Sequence, residues 1–345
     1  MALGVEGVRV GVWTDDVHAT GVTVVLPPPG TVGGAAVRGG APGSRETAAL
    51  SPTGSVQECH AIVLCGGSAF GLSAADGVMQ WCEEQGVGFV LPTVTVPIVG
   101  AAVVFDIREK GQRRPGAFSG RAACEAATLD NPAQGPYGVG AGCTVGKASG
   151  RDFAVAAGQG WAIARGGGIT VGALMAVNAV GDVFTSSGQI LAGSLAAGDV
   201  PRFPLASMEE VRGWASPPDQ GSTPPAAVDA VDTSRDGAPR DRARVDTAPM
   251  NTVIGCIVTD AKLSKPAACR VADLSHGGIV RCVRPAHTSA DGDILFVLAT
   301  GQGAAASTDL VVELASVAVA EAIRAAVRAS IDRVGLTADP RRFRA

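Results

Sequence analysis

Short runs in which every second residue, or every residue, is apolar recur along the chain, and they read as strands. Val8–Trp13 and Thr20–Leu26 alternate with β-branched residues. Residues 59–65 (CHAIVLC) and Val96–Asp106 are apolar throughout, as expected of strands covered on both faces. Residues 160–187 alternate again and carry Asn178, a polar side chain inside an apolar run. Val253–Val258 and Ile294–Thr300 are two further buried strands.

Helical spacing is rarer. Gly66-Gly67-Ser68 opens a helix that runs to Gln85, with Gly86 where a stop belongs and Ser68 placed to cap. Leu263–Val283 has a helical pattern. Ser307 can cap a long last helix whose apolar stripe is Val311, Leu314, Val317, Ala320, Ile323 and Val327. Many buried strands, few helices and no regular βα alternation predict a layered α/β/β/α arrangement. Two glycine-rich loops, 38–46 and 135–150, interrupt it. Between about 205 and 249 apolar periodicity stops, and Pro217, Pro218, Pro224, Pro225 and Pro249 stand among Asp, Arg, Ser and Ala; this stretch reads as a mobile linker.

Composition narrows the class. The 345 residues allow one large domain or two small ones, and 46% hydrophobic residues against 17% charged ones describe an apolar, turn-rich globular chain. A net charge of −4 and the lack of a basic stripe argue against nucleic acid. No apolar run reaches the roughly 18 residues of a spanning helix, and the first residues do not read as a secretory signal. The expectation is a cytoplasmic protein without a membrane partner. The eight cysteines form no CxxC, and Cys256, Cys269 and Cys282 read as core. His18, His60, His276 and His287 lack zinc spacing, so neither metal nor cofactor is implied.

Candidate chemistry gathers where the linker ends. After Pro249-Met250-Asn251, Thr252 heads a buried strand. A break between Asn251 and Thr252 would put a free amine, of pKa about 8, on the residue that carries the hydroxyl. The amine can then serve as base toward that hydroxyl. On spacing alone, the commoner reading is that Thr252 merely starts a strand. Asp291 and Asp293 flank a glycine before the next strand; they can orient a nucleophile, or simply make a turn. Lys147 closes a glycine-rich loop that misses the phosphate-loop pattern, since Ala141 and Ala148 stand at required positions. In a site it would lower a neighbouring amine's pKa or steady an oxyanion; elsewhere it would be solvated. Asn178 is either a satisfied core amide or an oxyanion donor. Gly66-Gly-Ser68-Ala-Phe-Gly71 misses the serine-hydrolase elbow because Phe70 stands at the last glycine.

Several of these segments, in this order, resemble the self-cleaving amide hydrolases of the DmpA and nylon-oligomer-hydrolase family. They are Thr20-Gly-Val-Thr-Val-Val-Leu, Val37-Arg-Gly-Gly-Ala-Pro-Gly-Ser-Arg-Glu-Thr47, Leu64-Cys-Gly-Gly-Ser-Ala-Phe-Gly-Leu, Ala75-Asp-Gly-Val-Met, Val96-Pro-Ile-Val and Phe105-Asp. Asn251-Thr252 matches the cleavage site of the threonine branch, and His287-Thr with Asp291-Gly-Asp293 matches the downstream signature. The likeness runs from about residue 8 to 330, apart from the linker.

It implies a layered α/β/β/α fold spanning residues 1–345 as one autoprocessed domain. The pieces 1–251 and 252–345 would stay together. It implies Thr252 as nucleophile, Asn178 as oxyanion donor, and Lys147, Asp291 and Asp293 in the site. The substrate would be a small peptide or amide, and the assembly a homo-oligomer such as a tetramer. The aspartate pair resembles the nylon-hydrolase branch; the aminopeptidase branch has Ser and Glu there, which speaks against an aminopeptidase specificity. Tyr137 is a further candidate near the site. Rival readings are an acyltransferase of the ornithine acetyltransferase type, and a binding protein without turnover.

Overall fold

The structure is a computed structural model that describes residues 1–147, 150–195 and 251–333. The linker expected at 205–249 lies outside the described residues. Two five-stranded sheets form the frame. The first contains β1 (Arg9–Asp15), β2 (Thr20–Leu26), β4 (Ser44–Arg45), β5 (Ala61–Cys65) and β6 (Val99–Val103), in the order β1-β2-β5-β6-β4. The second contains β3 (Val32–Val37), β7 (Gln159–Gly166), β8 (Ile169–Asn178), β9 (Thr252–Thr259) and β10 (Ile294–Ala299), in the order β7-β8-β9-β10-β3. Helices α1 (Ala74–Glu84) and α2 (Ala117–Glu125) cover the first sheet, and α3 (Lys265–Val280) and α4 (Thr308–Arg333) cover the second. The expected α/β/β/α layering is present.

The side-chain period of a strand shows how the layers are filled. In β5, Ala61, Val63 and Cys65 join the core under α1 and α2, while Ile62 and Leu64 point into the core between the sheets. β9 is buried along its whole length, because one face meets the first sheet and the other meets the helices. Each of its aliphatic side chains contributes about 1.5–3 kcal/mol by burial. Pieces from before and after the 205–249 segment therefore share one core.

Strand direction decides what meets at the ends of the central strands. β8 and β9 are antiparallel, with Asn178 opposite Thr252, so the end of one strand lies beside the start of the other. β9 and β10 are parallel, with Ile254 opposite Ile294. The segments leading into these two strands therefore lie side by side, and an isolated bridge pairs Asn251 with Asp291.

Other expectations are adjusted. The segment after Gly67 is a 3-10 turn, Ser68–Ser73, followed by α1; Ser68 makes no capping bond and sits at φ 54°. Residues 160–187 divide into β7, β8 and a short strand Asp182–Phe184. Cys282 lies just past α3, although all eight cysteines are buried. Ser307 does cap α4 through the Leu310 N–H. Val317 is 41% exposed, and the buried face is built from smaller residues such as Ala315, Ala322 and Ala326. Helix α2 gave no apolar period to read. It meets α1 through Gly77 and Gly120, where an added Cβ would lie 1.8 Å from the Ala117 carbonyl and 1.9 Å from that of Ala74.

Candidate active site

Thr252 is buried at the first position of β9, and its Oγ1 donates to the carbonyl oxygen of Asn251 at 2.5 Å. The same oxygen accepts the Gly292 N–H at 2.9 Å. The peptide bond expected to break is thus held against its own hydroxyl and polarised by a backbone donor. Gly292 is suited to this post, because a Cβ there would lie 3.0 Å from Thr252 Oγ1 and 2.9 Å from the Ala41 carbonyl.

Asn178 ends β8 beside Thr252. Its Oδ1 accepts Lys147 Nζ at 2.8 Å and the Thr144 N–H at 3.1 Å, and its Nδ2 donates to the Phe105 carbonyl at 2.9 Å. This network fixes the amide's orientation. In the unbroken chain the N–H that reaches the Asn251 carbonyl is that of Gly292, a donor that sequence reasoning missed. A backbone group has no residue-type signature, so only the glycine between two acids marked the place.

Lys147 is buried, and its Nζ also donates to the Asn178 carbonyl at 2.9 Å. Burial pulls its pKa down to about 7; Cys143 and Asp291 oppose the change and Arg151 adds to it. Asp291 accepts the Thr288 N–H at 2.6 Å. Burial, and next the charge of Asp293, raise its pKa. Asp293 accepts the Val253 N–H at 2.6 Å on Oδ1, and the His287 N–H and Nδ1 at 3.0 and 2.8 Å on Oδ2. The acids were expected to hold the nucleophile's own hydroxyl or amine; in the unbroken chain Asp293 instead holds the amide one residue further on. His287 is a second residue of the site that spacing alone did not single out.

The glycine-rich loop 38–46 supports this turn from below. The N–H groups of Arg38 and Gly39 donate to the Asp293 carbonyl at 3.0 and 3.2 Å, and that of Ala41 donates to the Asp291 carbonyl at 2.8 Å. A Cβ at Gly39 would lie 2.2 Å from the Asp291 oxygen. Asp106 supports the other side. It accepts the Gly67 N–H at 2.7 Å and Thr20 Oγ1 at 2.6 Å, next to the Phe105 carbonyl that anchors Asn178. Ser68 takes no part in these side-chain bonds. Tyr137 lies under the Arg333 guanidinium, 4.4 Å from its ring centre. No group of three or more His, Cys, Asp or Glu suited to a metal occurs among the described residues.

A buried hydroxyl on a polarised carbonyl, an amine tuned towards neutrality and a pair of oriented acids form a site for acyl chemistry on amide bonds. The sequence profile of peptidase family S58 matches residues 3–338, and the chain belongs to that family. It is an amide-bond hydrolase. An uncharacterized aminopeptidase of Mycobacterium tuberculosis is 42% identical over 290 residues, 82% of this chain and 74% of that protein. A 6-aminohexanoate-oligomer endohydrolase of Paenarthrobacter ureafaciens is 29% identical over 301 residues, 86% of this chain and 74% of that one. Names from both sides of the division suggested by the acid pair thus occur among its relatives. Among solved structures, the L-aminopeptidase D-Ala-esterase/amidase of Ochrobactrum anthropi, a variant of the Ntn-hydrolase fold, superposes with a TM-score of 0.64 at 17% identity, covering 95% of this chain and 85% of that one. A Burkholderia beta-aminopeptidase gives a TM-score of 0.62 at 20% identity, with 94% and 85% covered. These two likenesses concern the fold alone; the family match and the names of the sequence relatives favour hydrolysis over the acetyl-transfer reading.

Among the described residues, no helix is long and apolar enough to cross a membrane.

Proposed function

We propose that the protein is a self-cleaving amidohydrolase in which Thr252 serves first as the internal and then as the N-terminal nucleophile. The observation that carries this reading is the contact of Thr252 Oγ1 with the Asn251 carbonyl, together with the Gly292 N–H on the same oxygen. In the first step the hydroxyl oxygen attacks the Asn251 carbonyl carbon. The oxyanion forms against Gly292, the C–N bond breaks, and the Thr252 amine leaves with the proton. Water then hydrolyses the resulting ester. Residues 1–251 end in a carboxylate and residues 252–345 begin with a free threonine amine. In turnover, that amine takes the Oγ1 proton, the oxygen attacks a substrate amide, and water releases the acid from the ester.

Lys147 supports both stages as a neutral amine that removes positive charge from the new terminus or accepts a proton. Asp293 fixes the strand start through the Val253 N–H, and Asn178 becomes an oxyanion donor once the Asn251 carbonyl has left. The substrate is a small linear amide, with aminopeptidase substrates and 6-aminohexanoate oligomers as the two classes suggested by the relatives' names. The two pieces remain one domain, in a cytoplasmic homo-oligomer such as a tetramer.

Mass spectrometry of the purified protein tests the reading. The expected species are 1–251 and 252–345, co-eluting on gel filtration without denaturant. Thr252→Ala is expected to stay intact and inactive, whereas Thr252→Ser cleaves with some activity remaining. Asn178→Ala is expected to lose about 10²–10³ in kcat. A new terminus elsewhere, or wild-type amide hydrolysis by Thr252→Ala, would sink the proposal and make Ser68 the next residue to test.

A further inference from the structure

His287 is held in an unusual way for a residue in a loop. Its backbone lies in the left-handed region at φ 60°, which few non-glycine residues adopt, asparagine, aspartate and histidine more readily than the rest. Its ring is mostly buried, and Nδ1 lies 2.8 Å from Asp293 Oδ2. Opposite a carboxylate oxygen, Nδ1 carries the hydrogen and donates. On its other side the ring stands edge-on to His276, with ring centres 4.8 Å apart. His276 is itself fixed on α3, with Nε2 at 3.2 Å from the Ala36 carbonyl in β3. A line of contacts therefore runs from β3 through His276 and His287 to Asp293, and from Asp293 to the Val253 N–H beside the nucleophile. Strain of this kind persists where surrounding contacts enforce it, and it gathers at functional sites.

We propose that His287 is a positioning residue: its Nδ1–H locks the Asp293 carboxylate so that Oδ1 holds the start of β9, and with it Thr252, in register for attack. Two acids lie close together here, and burial together with the Asp293 charge drives Asp291 towards its protonated form. The two donors from His287 fix the Asp293 carboxylate with Oδ1 facing the Val253 N–H, where an acceptor is needed. With the ring gone, Oδ2 retains one backbone donor, and the carboxylate is free to turn. The inference rests on Thr252 being the nucleophile, as proposed above.

The left-handed backbone supplies a way to separate the donor from the turn. Asparagine tolerates that φ and places an amide N–H near the position of Nδ1. Glycine relaxes the backbone and deletes the donor. Self-cleavage is intramolecular and has no binding step, so its first-order rate reads geometry at the site directly. That rate would be followed by gel after pulsed cell-free synthesis, with melting temperatures recorded in parallel. Hydrolysis of L-alanine p-nitroanilide and 6-aminohexanoate oligomer would give kcat and KM for whichever probe the wild type turns over.

The expected result is His287→Asn within about threefold of wild type, and His287→Gly slower by about 10- to 100-fold, the span of a hydrogen bond to a charged group. The loss should fall on the cleavage rate and kcat, with KM unchanged. His287→Gly cleaving like wild type would overturn the proposal, as would His287→Asn losing as much as His287→Gly. If His287→Gly does not fold, His287→Gln replaces it. Its nitrogen sits one bond further out, and slow cleavage supports the proposal while wild-type cleavage overturns it. Thr252→Ala runs as the control: if it remains active, the nucleophile assignment has failed whatever the His287 series shows.

Discussion

Lys147 and Lys265 are both buried, and they illustrate opposite uses of the same side chain. Lys265 Nζ donates to three carbonyls, those of Ala49 at 2.5 Å, Gly54 at 2.9 Å and Val56. Three acceptors match the three hydrogens of an ammonium group, so the charge is a structural pin that fastens the 49–56 loop to α3. Lys147 meets two acceptors among the described residues, both on Asn178. Two acceptors match a neutral amine and leave its lone pair open. Counting acceptors thus separates a lysine that holds the fold from one suited to move a proton.

Several experiments can break or sharpen that contrast. The largest effect is expected from Lys147→Met: a folded protein whose self-cleavage, followed by gel, slows by about 10²–10⁴, the usual worth of a positioned acid or base. Lys265→Met should do the reverse. It leaves three carbonyls on half-buried residues without their donor and lowers stability by about 1–3 kcal/mol in denaturant titration, while the folded fraction still cleaves. Equal melting points for the two variants would undo the comparison.

A smaller effect separates the two lysines by pH. The Lys147 pKa is lowered from 10.5 to about 7, so between these values the unfolded chain holds a proton that the folded one does not. Stability should therefore rise with pH across that window. Self-cleavage should rise with pH up to about 7 and then level off, and Lys147→Met should remove both trends. The smallest effect belongs to His276, whose pKa is lowered from 6.5 to about 4 by burial, with the neighbouring His287 second. The folded state resists protonation there, so stability is lost as pH falls from 6.5 towards 4. His276→Gln should flatten that acid limb by about 1–3 kcal/mol, with little change at neutral pH.

The chain announces its strands well, because β-branched runs at Thr20–Leu26, Val253–Val258 and Ile294–Thr300 are buried wherever they lie. It does not announce α2, whose packing depends on the absence of side chains at Gly77 and Gly120 rather than on an apolar stripe. The short strand Val32–Val37, with two glycines, is hidden for the same reason. At the site, Thr252, Asn178, Lys147, Asp291 and Asp293 could be named from motifs, and the structure gathers them at one end of the central strands. Which groups touch could not be read, because contact depends on β9 and β10 being parallel. That geometry puts the Gly292 N–H on the Asn251 carbonyl and the Asp293 carboxylate on the Val253 N–H. Nothing in Lys262-Leu-Ser-Lys265 marks Lys265 as a buried pin, since the loop that claims it lies far earlier in the chain.

The placement of Thr252 between β8 and β10 bears on the disorder that a cut chain normally gains. Chain ends fray, because the last residues have neighbours on one side only. An end created at Thr252 would have a partner strand on each flank, from Asn178 opposite it to Val171 opposite Thr259 on one side, and from Ile294 onward on the other. Opening the bond would free Asn251 to depart while the threonine stayed where the sheet had set it. The nucleophile would then meet each substrate with its search for orientation already finished, the entropy having been lost when the uncut chain folded.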